Sequence, residues 1–291
     1  MSEIAPCVVT EKETGEITLY GDEAAALEGR VPAHLEFHRL WWADKILDRE
    51  RFRLLLQLLL DNETKGSSDR WRRPWQTQIL VPESMLPLHR RWLEKTAREA
   101  GWWLPSFRPA NQNLVRSSSH ATAANWRVQS FLDVGFSQTR LVVYVGREVL
   151  LAVATKDFSL SVFCRELAES LQAKHSLEVA PSSFYDQNWT RTRLAFNQKK
   201  QKPQEWSLEA SEWKQQQQFF WQELSEWIRE QITVLAVTHR TEIEQREITV
   251  VGGGASLWDG MKTDSQSFLF RRAGDAPYAQ LRASLSSENA R

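Results

Sequence analysis

The sequence predicts an α/β protein of two lobes, and the main indication is a pair of glycine turns that each end an apolar run. The first run, residues 131–134, breaks at Gly135, and the second, residues 248–251, breaks into the glycine triplet 252–254. Such turns let a backbone approach a phosphate or a base closely, although either turn alone is typical of an ordinary tight turn. With 291 residues, the chain is long enough for two lobes with real cores. Together the turns predict a nucleotide cleft.

The first part of the chain alternates short strands with helices. Thr14 and Gly15 separate two β-type runs. Pro87 opens a helix that Gly101 ends, because proline suits a first helical turn and glycine suits the position after the last. The predicted elements are strands at residues 7–10 and 16–20, a short helix at 22–29, a helix at 49–60, a loop at 61–73, a strand at 77–81 and a helix at 87–100.

A second α/β lobe begins at the first glycine turn. Three strands form a meander, and a long amphipathic helix carries an apolar stripe typical of core packing. The polar segment 182–205 predicts a loop-rich excursion. The predicted elements are strands at 128–134, 141–145 and 148–154, helices at 158–171 and 213–237, a strand leading into Gly252, a short helix at 256–262, a strand at 268–270 and a last helix at 278–283.

Composition narrows the classes of function. Lys plus Arg and Asp plus Glu number 37 each, so no net charge steers the chain to nucleic acid or anionic lipid. The only cysteines, Cys7 and Cys164, predict a reducing cytoplasm without disulfides. The longest apolar-rich run, residues 52–60, contains Arg53 and is shorter than the roughly 20 residues that span a bilayer. The 14 tryptophans predict large aromatic cores or interfaces.

Several short segments, in order along the chain, resemble those of one protein family. Asp-Val-Gly at 133–135 resembles its second phosphate loop, and Val-Gly-Gly-Gly-Ala-Ser-Leu at 251–257 resembles its adenosine loop. The other matching segments are residues 6–9, 12–16, 21–24, 29–32 and 80–83, the helix containing Arg90 and Glu94, and residues 275–277. In these places the chain is similar to the actin superfamily and, within it, to the bacterial shape-determining MreB proteins. The resemblance implies a two-lobed, actin-like (ribonuclease H-like) α/β fold with lobes at 1–127 and 128–291.

The resemblance also implies ATP and Mg²⁺ as cofactors. Asp133 would hold a hydrated Mg²⁺, the amide of Gly135 would meet phosphate, and Thr139 would supply a hydroxyl contact. The residues assigned to adenosine are Gly252, Gly253 and Gly254. Their backbone could lie flat against adenine and ribose, where a side chain would clash. The alternative is that both loops only preserve an inherited fold.

Several departures from the family pattern limit what the resemblance implies. The first phosphate loop has no counterpart, so the first lobe lacks its N-terminal hairpin and the strand at Val8 is expected to expose an edge. Either the true start of the chain lies upstream, or another strand fills the gap. The outer subdomain of the second lobe, residues 182–206, is reduced. Phe136 crowds the second loop, and Arg108 occupies the place of a water-activating glutamate, where a guanidinium cannot accept a proton. We therefore expect no efficient ATP hydrolysis and assign no catalytic residue.

One basic, aromatic segment bears on membranes. Trp71, Arg72 and Arg73 occupy a region that can dip into lipid in the family, and tryptophans flanked by arginines suit an anionic membrane interface. The alternative is a solvated basic loop with one tryptophan packed inward. No recognisable nucleic-acid module accompanies these residues, so we expect no nucleic-acid partner.

The leading hypothesis is a divergent MreB-like protein of bacterial cell-shape or cytoskeletal organisation, cytoplasmic or peripheral to the inner membrane. It would associate with itself or with another MreB-like protein. Two alternatives stay open. One is an adapter that keeps the actin fold without binding nucleotide and docks a partner through its tryptophans and its Gln-rich helix. The other is an active ATPase filament protein whose N-terminus is wrongly assigned.

Overall fold

The computed structural model describes most of the chain, which divides into two compact units. The units are residues 1–109 and 110–291, so the boundary predicted after residue 127 lies inside the second unit. The residues that the structure describes are 6–25, 27–28, 31–42, 45–64, 78–102, 105–112, 114–115, 127–184, 193–197, 205–258 and 268–274.

A small antiparallel sheet opens the first unit. Its strands are β1 (Cys7–Glu11), β2 (Ile17–Tyr20) and β3 (Leu35–Arg39), with the short helix α1 (Asp22–Ala25) between β2 and β3. The strand order is β2-β1-β3. Val8 pairs with Tyr20 on one side and with His38 on the other, and its side chain is fully buried. The exposed edge expected at Val8 is therefore not observed, because β1 has a partner strand on each side.

The rest of the first unit packs two longer helices against short strands. Its elements are β4 (Trp41–Trp42), β5 (Lys45–Ile46), α2 (Arg49–Thr64), β6 (Gln78–Val81), α3 (Pro87–Glu99) and β7 (Ser106–Pro109), with β6 and β7 parallel. Pro87 opens α3 and Gly101 follows it at a φ of 94°, which confirms the punctuation predicted for this helix. Leu56, Leu93 and Ala97 belong to a core that both helices share with β1 and β6. The sequence did not predict β3, β4, β5 or β7, whose few residues carry little periodicity.

A largely buried histidine joins β3 to β1. Nε2 of His38 is 2.9 Å from Oγ1 of Thr10, and only 15% of the His38 side chain is exposed. Burial lowers the pKa of His38, and the nearby Arg51 guanidinium lowers it further. The Glu36 and Asp48 carboxylates oppose this shift without cancelling it. His38 is therefore neutral in the folded protein at neutral pH.

We expect the free energy of unfolding to fall as the pH falls below about 6.5, the ordinary pKa of histidine. In that range the unfolded chain binds a proton at His38 more readily than the folded chain, whose His38 has the lower pKa, so protonation favours unfolding. Urea denaturation between about pH 5 and 8 measures the slope. The slope should be shallower in His38→Gln and unchanged in His34→Gln, which alters an exposed histidine. Equal slopes in the wild type and His38→Gln would contradict the prediction.

A mixed sheet with two flanking helices forms the centre of the second unit. The elements are β8 (Val128–Val134), β9 (Thr139–Val145), β10 (Glu148–Thr155), α4 (Leu160–His175), β11 (Arg193–Asn197), β12 (Glu205–Glu209), α5 (Ala210–Ile232), α6 (Val237–Gln245), β13 (Glu247–Val251) and β14 (Leu269–Arg272). The five-stranded sheet has the order β10-β9-β8-β13-β14. The strands β8, β9 and β10 are antiparallel, which confirms the predicted meander, and β13 runs parallel to both β8 and β14.

Both faces of this sheet carry a core. On one face, α4 and α5 supply much of a large cluster that includes Phe163, Leu167 and Trp221. On the other face, Phe131 meets Tyr144 edge-on, with ring centroids 6.0 Å apart. Burial on both faces explains why β9 is continuously apolar over residues 141–145.

The helix predicted over residues 213–237 is shorter than expected. It begins at Ala210 and ends at Ile232, and a separate helix, α6, follows after a turn. The β-branched pair Thr233 and Val234 weakens helix formation at this point. The hydroxyl and the N–H of Thr233 both donate hydrogen bonds to the carbonyl of Glu230, which closes the last turn of the helix.

The segment predicted as loop-rich, residues 182–205, contains regular structure. A 3₁₀ helix covers Pro181–Phe184, and β11 pairs antiparallel with β12. In that pairing Leu194 lies opposite Leu208, and Phe196 lies opposite Trp206. These apolar residues repeat every second position, which is the period of a strand.

Candidate functional site

The sheet of the second unit brings the two glycine turns together. Val251 of β13 pairs with Asp133 of β8, and the two strands are parallel, so their carboxyl ends meet at one edge of the sheet. The first turn, residues 135–138, follows β8 directly, and the triplet 252–254 follows β13. Ligands of open α/β sheets bind outside this kind of edge. The two turns that the sequence singled out are therefore neighbours in space.

Two of the three glycines in the second turn are required by its packing against β8. Gly252 has a φ of 87°, and a Cβ atom there would lie 2.4 Å from Oδ1 of Asp133. A Cβ atom at Gly254 would lie 2.6 Å from Cγ1 of Val134. Gly253 differs, because it is exposed and a Cβ atom there would meet nothing within 4 Å. Gly253 is therefore the member of the triplet with open space beside it.

The first turn is fixed by backbone hydrogen bonds. The N–H of Gly135 donates to the carbonyl of Gln138 over 3.0 Å, and a Cβ atom at Gly135 would lie 2.8 Å from that oxygen. The carbonyls of Gly135 and Phe136 accept hydrogen bonds from the N–H groups of Leu160 and Ser161, each over 3.0 Å. The turn is thereby tied to the first residues of α4.

The first residues of α4 have their N–H groups engaged within the protein. Leu160 and Ser161 donate to the first turn, and Val162 donates to Oγ of Ser159 over 3.3 Å. These are three of the four N–H groups that a helix leaves unpaired at its start. Phosphate binding at this edge would therefore depend on the turn rather than on the end of α4.

Two buried polar atoms, one in the first turn and one just after it, have no hydrogen-bond partner among the residues that the structure describes. Thr139 is fully buried in β9, and within the described part of the chain its Oγ1 has no partner. The same holds for Nε2 of Gln138, a residue that is 4% exposed. Leaving a buried polar group unsatisfied costs about 1–3 kcal/mol. The hydroxyl expected to contact phosphate thus lies next to the turn but is enclosed, and a phosphate reaches it only if the turn moves.

Comparison with solved structures identifies the fold. No protein-family model matches the chain, and no curated protein matches it. The crystal structure of MreB5 of Spiroplasma citri bound to ADP matches with a TM-score of 0.81 and 14% identity, over 98% of this chain and 88% of that chain. The fold is actin-like. The AMPPNP-bound structure of the same protein matches with a TM-score of 0.80, again at 14% identity over 98% of this chain and 88% of that chain.

A structure of a second protein, MamK, also matches this chain. The MamK double helical filament matches with a TM-score of 0.70 and 13% identity, over 98% of this chain and 91% of that chain. These likenesses confirm the predicted actin-like α/β fold. At such low identity they show the fold alone, so the functional residues depend on the geometry of this chain.

The Mg²⁺ that the actin-like resemblance implied for Asp133 does not fit the residues present. Oδ2 of Asp133 is 2.9 Å from Nη1 of Arg140, and the two side chains are 11% and 14% exposed. Oδ1 faces the backbone of Gly252. Among the residues that the structure describes, no group of three or more His, Cys, Asp or Glu side chains could hold a metal ion. A carboxylate neutralised by a guanidinium is a poor ligand for a second cation.

Arg140 is the site residue that the sequence analysis missed. It pairs directly with Asp133 across the hairpin of β8 and β9. The signal was in the sequence, because placing residues 135–138 in a four-residue turn makes Val134 the partner of Thr139 and Asp133 the partner of Arg140.

The remaining predicted residues lie elsewhere or outside the described ranges. Arg108 is in β7 of the first unit. Outside the described residues lie Trp71, Arg72, Arg73, the matching segment 275–277 and the last predicted helix at 278–283. Among the helices that are described, none has both the length and the apolar composition needed to cross a bilayer.

A cavity in the second unit lies away from the glycine turns. Its volume is about 520 Å³, and its lining includes Arg127, Gln129, Arg246 and Thr249. Arg127 and Arg246 directly precede the amino ends of β8 and β13, whereas the turns follow the carboxyl ends of the same strands. The cavity is therefore not the nucleotide site that the turns suggest.

Proposed function

We propose that this protein is an actin-like cytoskeletal protein that binds a nucleotide at its two glycine turns and hydrolyses ATP poorly. The observation that carries the proposal is the packing of the second turn against Asp133 and Val134, the residues of β8 that lead directly into the first turn. The solved structures of MreB5, which share the fold, hold ADP and AMPPNP. A cytoplasmic role in bacterial cell shape or cytoskeletal organisation is part of the proposal and rests on the same likeness.

Each turn takes a different part of the nucleotide. The open side of Gly253 receives adenine and ribose, because a backbone without a side chain lets a ring lie flat against it. The phosphates lie at residues 135–138, next to Asp133. Hydrolysis is poor because Arg108, at the position where the family has a glutamate, stays protonated and cannot accept a proton from water.

A Gly253→Trp variant is expected to weaken binding of a fluorescent ATP analogue by at least about tenfold, because the indole occupies the open space at the second turn. The matched control is Val234→Trp, which places the same ring at a 77% exposed residue in the turn between α5 and α6. The control should bind as the wild type does. Equilibrium titration of the purified full chain measures all three dissociation constants.

Absence of saturable binding by a folded sample would overturn the proposal and favour the adapter without nucleotide. Two observations already bear on that second candidate, namely the engaged N–H groups at the start of α4 and the enclosed Thr139 hydroxyl. Stable co-purification of a partner protein would then support it. ATP turnover that disappears in Asp133→Ala would instead support the ATPase alternative.

Self-association is the partner interaction that we propose. MamK, which shares the fold, has been solved as a double helical filament. Contact with another MreB-like protein is a variant of the same proposal. Membrane contact through Trp71, Arg72 and Arg73 stays a prediction of the sequence.

A further inference from the structure

The carboxylate at the end of β8 already has a cation beside it. We infer that Arg140, rather than a divalent metal, is the counter-ion of Asp133, so that the site takes its nucleotide as the metal-free anion. Arg140 is the counter-ion whether or not a nucleotide binds, whereas the metal-free form of the bound nucleotide rests on the proposed function.

The Asp133–Arg140 pair is built into the sheet. The two residues are direct partners in the antiparallel pairing of β8 with β9, which places their side chains on the same face. Nη1 of Arg140 donates to Oδ2 of Asp133 over 2.9 Å. Exposures of 11% and 14% keep most water away, so the attraction is screened less than at the surface. A divalent ion would have to displace the Arg140 guanidinium from the Asp133 carboxylate.

The second oxygen of the Asp133 carboxylate faces the other glycine turn. Oδ1 lies so close to Gly252 that a methyl group there would come within 2.4 Å of it. Mg²⁺ demands octahedral geometry at roughly 2.1 Å and usually keeps several waters, so it needs open space beside a carboxylate oxygen. Both oxygens of Asp133 therefore face protein groups, and neither presents the open side that a hydrated ion requires.

Charge balance explains how phosphates can bind here without a metal. A lone carboxylate beside the first turn would repel phosphate groups, and a bridging cation is one way to cancel that repulsion. The Arg140 guanidinium cancels it instead, because the pair carries no net charge. Arginine is not deprotonated in proteins, so this compensation is permanent and a chelator cannot remove it.

The test uses the whole chain and two independent measurements. A fluorescent ADP analogue is titrated in Mg²⁺ and in EDTA, and metal uptake is followed separately by the electron paramagnetic resonance signal of free Mn²⁺. For the wild type we expect dissociation constants that agree within about twofold in the two buffers, and no stoichiometric uptake of Mn²⁺. In Arg140→Gln, the uncompensated carboxylate should make nucleotide binding depend on Mg²⁺ by about tenfold or more.

Uptake of one Mn²⁺ per wild-type chain that is lost in Asp133→Asn would overturn the inference, whether or not nucleotide binds. If EDTA weakens wild-type nucleotide binding by about tenfold, the metal-free statement is wrong. If no nucleotide binds in either buffer, both the proposed function and the metal-free statement fail, and the Mn²⁺ measurement still decides the counter-ion. Arg140→Lys is the matched variant, because it keeps the charge and should stay insensitive to EDTA. The wild-type Mn²⁺ measurement also decides the matter if Arg140→Gln does not fold.

Discussion

Replacing Gly252 with alanine should lower the free energy of unfolding of the second unit by about 3 kcal/mol or more, because two penalties add. At a φ of 87° the backbone lies in the left-handed region, which costs an alanine roughly 1–2 kcal/mol. The new Cβ atom would also meet Oδ1 of Asp133 at 2.4 Å and the carbonyl oxygen of Val134 at 2.7 Å. Relieving these contacts requires the end of β8 to shift. Chemical denaturation followed by tryptophan fluorescence measures the loss.

Gly253→Ala is the matched control for this prediction. A Cβ atom at Gly253 meets nothing within 4 Å, so we expect a change within about 0.5 kcal/mol. Nucleotide affinity should be lower in Gly252→Ala than in Gly253→Ala, because the displaced turn in Gly252→Ala no longer lies against β8. Equal losses of stability in the two variants would show that the second turn does not pack on the end of β8.

Replacing Trp221 with alanine should lower the free energy of unfolding by about 3–5 kcal/mol. The side chain is fully buried, and its ring centroid lies 4.9 Å from that of Trp258 and 5.3 Å from that of Phe270. Its Nε1 also donates to the carbonyl of Leu257 over 2.8 Å. Leu257 and Trp258 belong to the 3₁₀ helix Gly253–Trp258, which continues from the second glycine turn. We therefore expect Trp221→Ala to weaken nucleotide binding as well.

Two variants separate the packing of Trp221 from the effects of altering α5. Phe219→Ala removes a 53% exposed ring from the same helix and should cost less than about 1 kcal/mol. Trp221→Phe keeps an aromatic ring and loses only the donor, and the Leu257 carbonyl keeps the hydrogen bond from Gln217. Its loss of stability should be intermediate. The prediction is wrong if Trp221→Ala unfolds at the same denaturant concentration as Phe219→Ala.

Much of the secondary structure could be predicted because its causes are local. Pro87 and Gly101 bracket α3, and the alternation around Gly146 marks the turn between β9 and β10. The strands β3 and β7 were not predicted, because each is short and carries charged residues. They are strands because they pair with β1 and β6, and such pairing depends on distant parts of the chain.

The sequence analysis predicted the role of the glycines in the candidate site but not the partner of its carboxylate. Glycine at 252 and 254 marks a close approach of backbone to another group, and the structure identifies that group as the end of β8. Asp133 was expected to hold a metal, whereas the structure gives it Arg140 as a partner. The environment of a carboxylate depends on whatever lies within a few ångströms, and a one-dimensional pattern shows only part of it.

By itself the sequence determined elements with local causes, such as α3, the meander of β8 to β10 and the glycine turns, because propensities, caps and glycine conformations act over a few residues. Only the tertiary structure decided which segments meet. Asp133 and Val251 are far apart along the chain, and the pairing of β8 with β13 makes them neighbours. The same pairing presses Gly252 against Asp133, and the β8–β9 hairpin gives that carboxylate its guanidinium. The close packing of Gly252 depends on the pairing of strands that are distant along the chain, so it could be assigned only once the sheet was known.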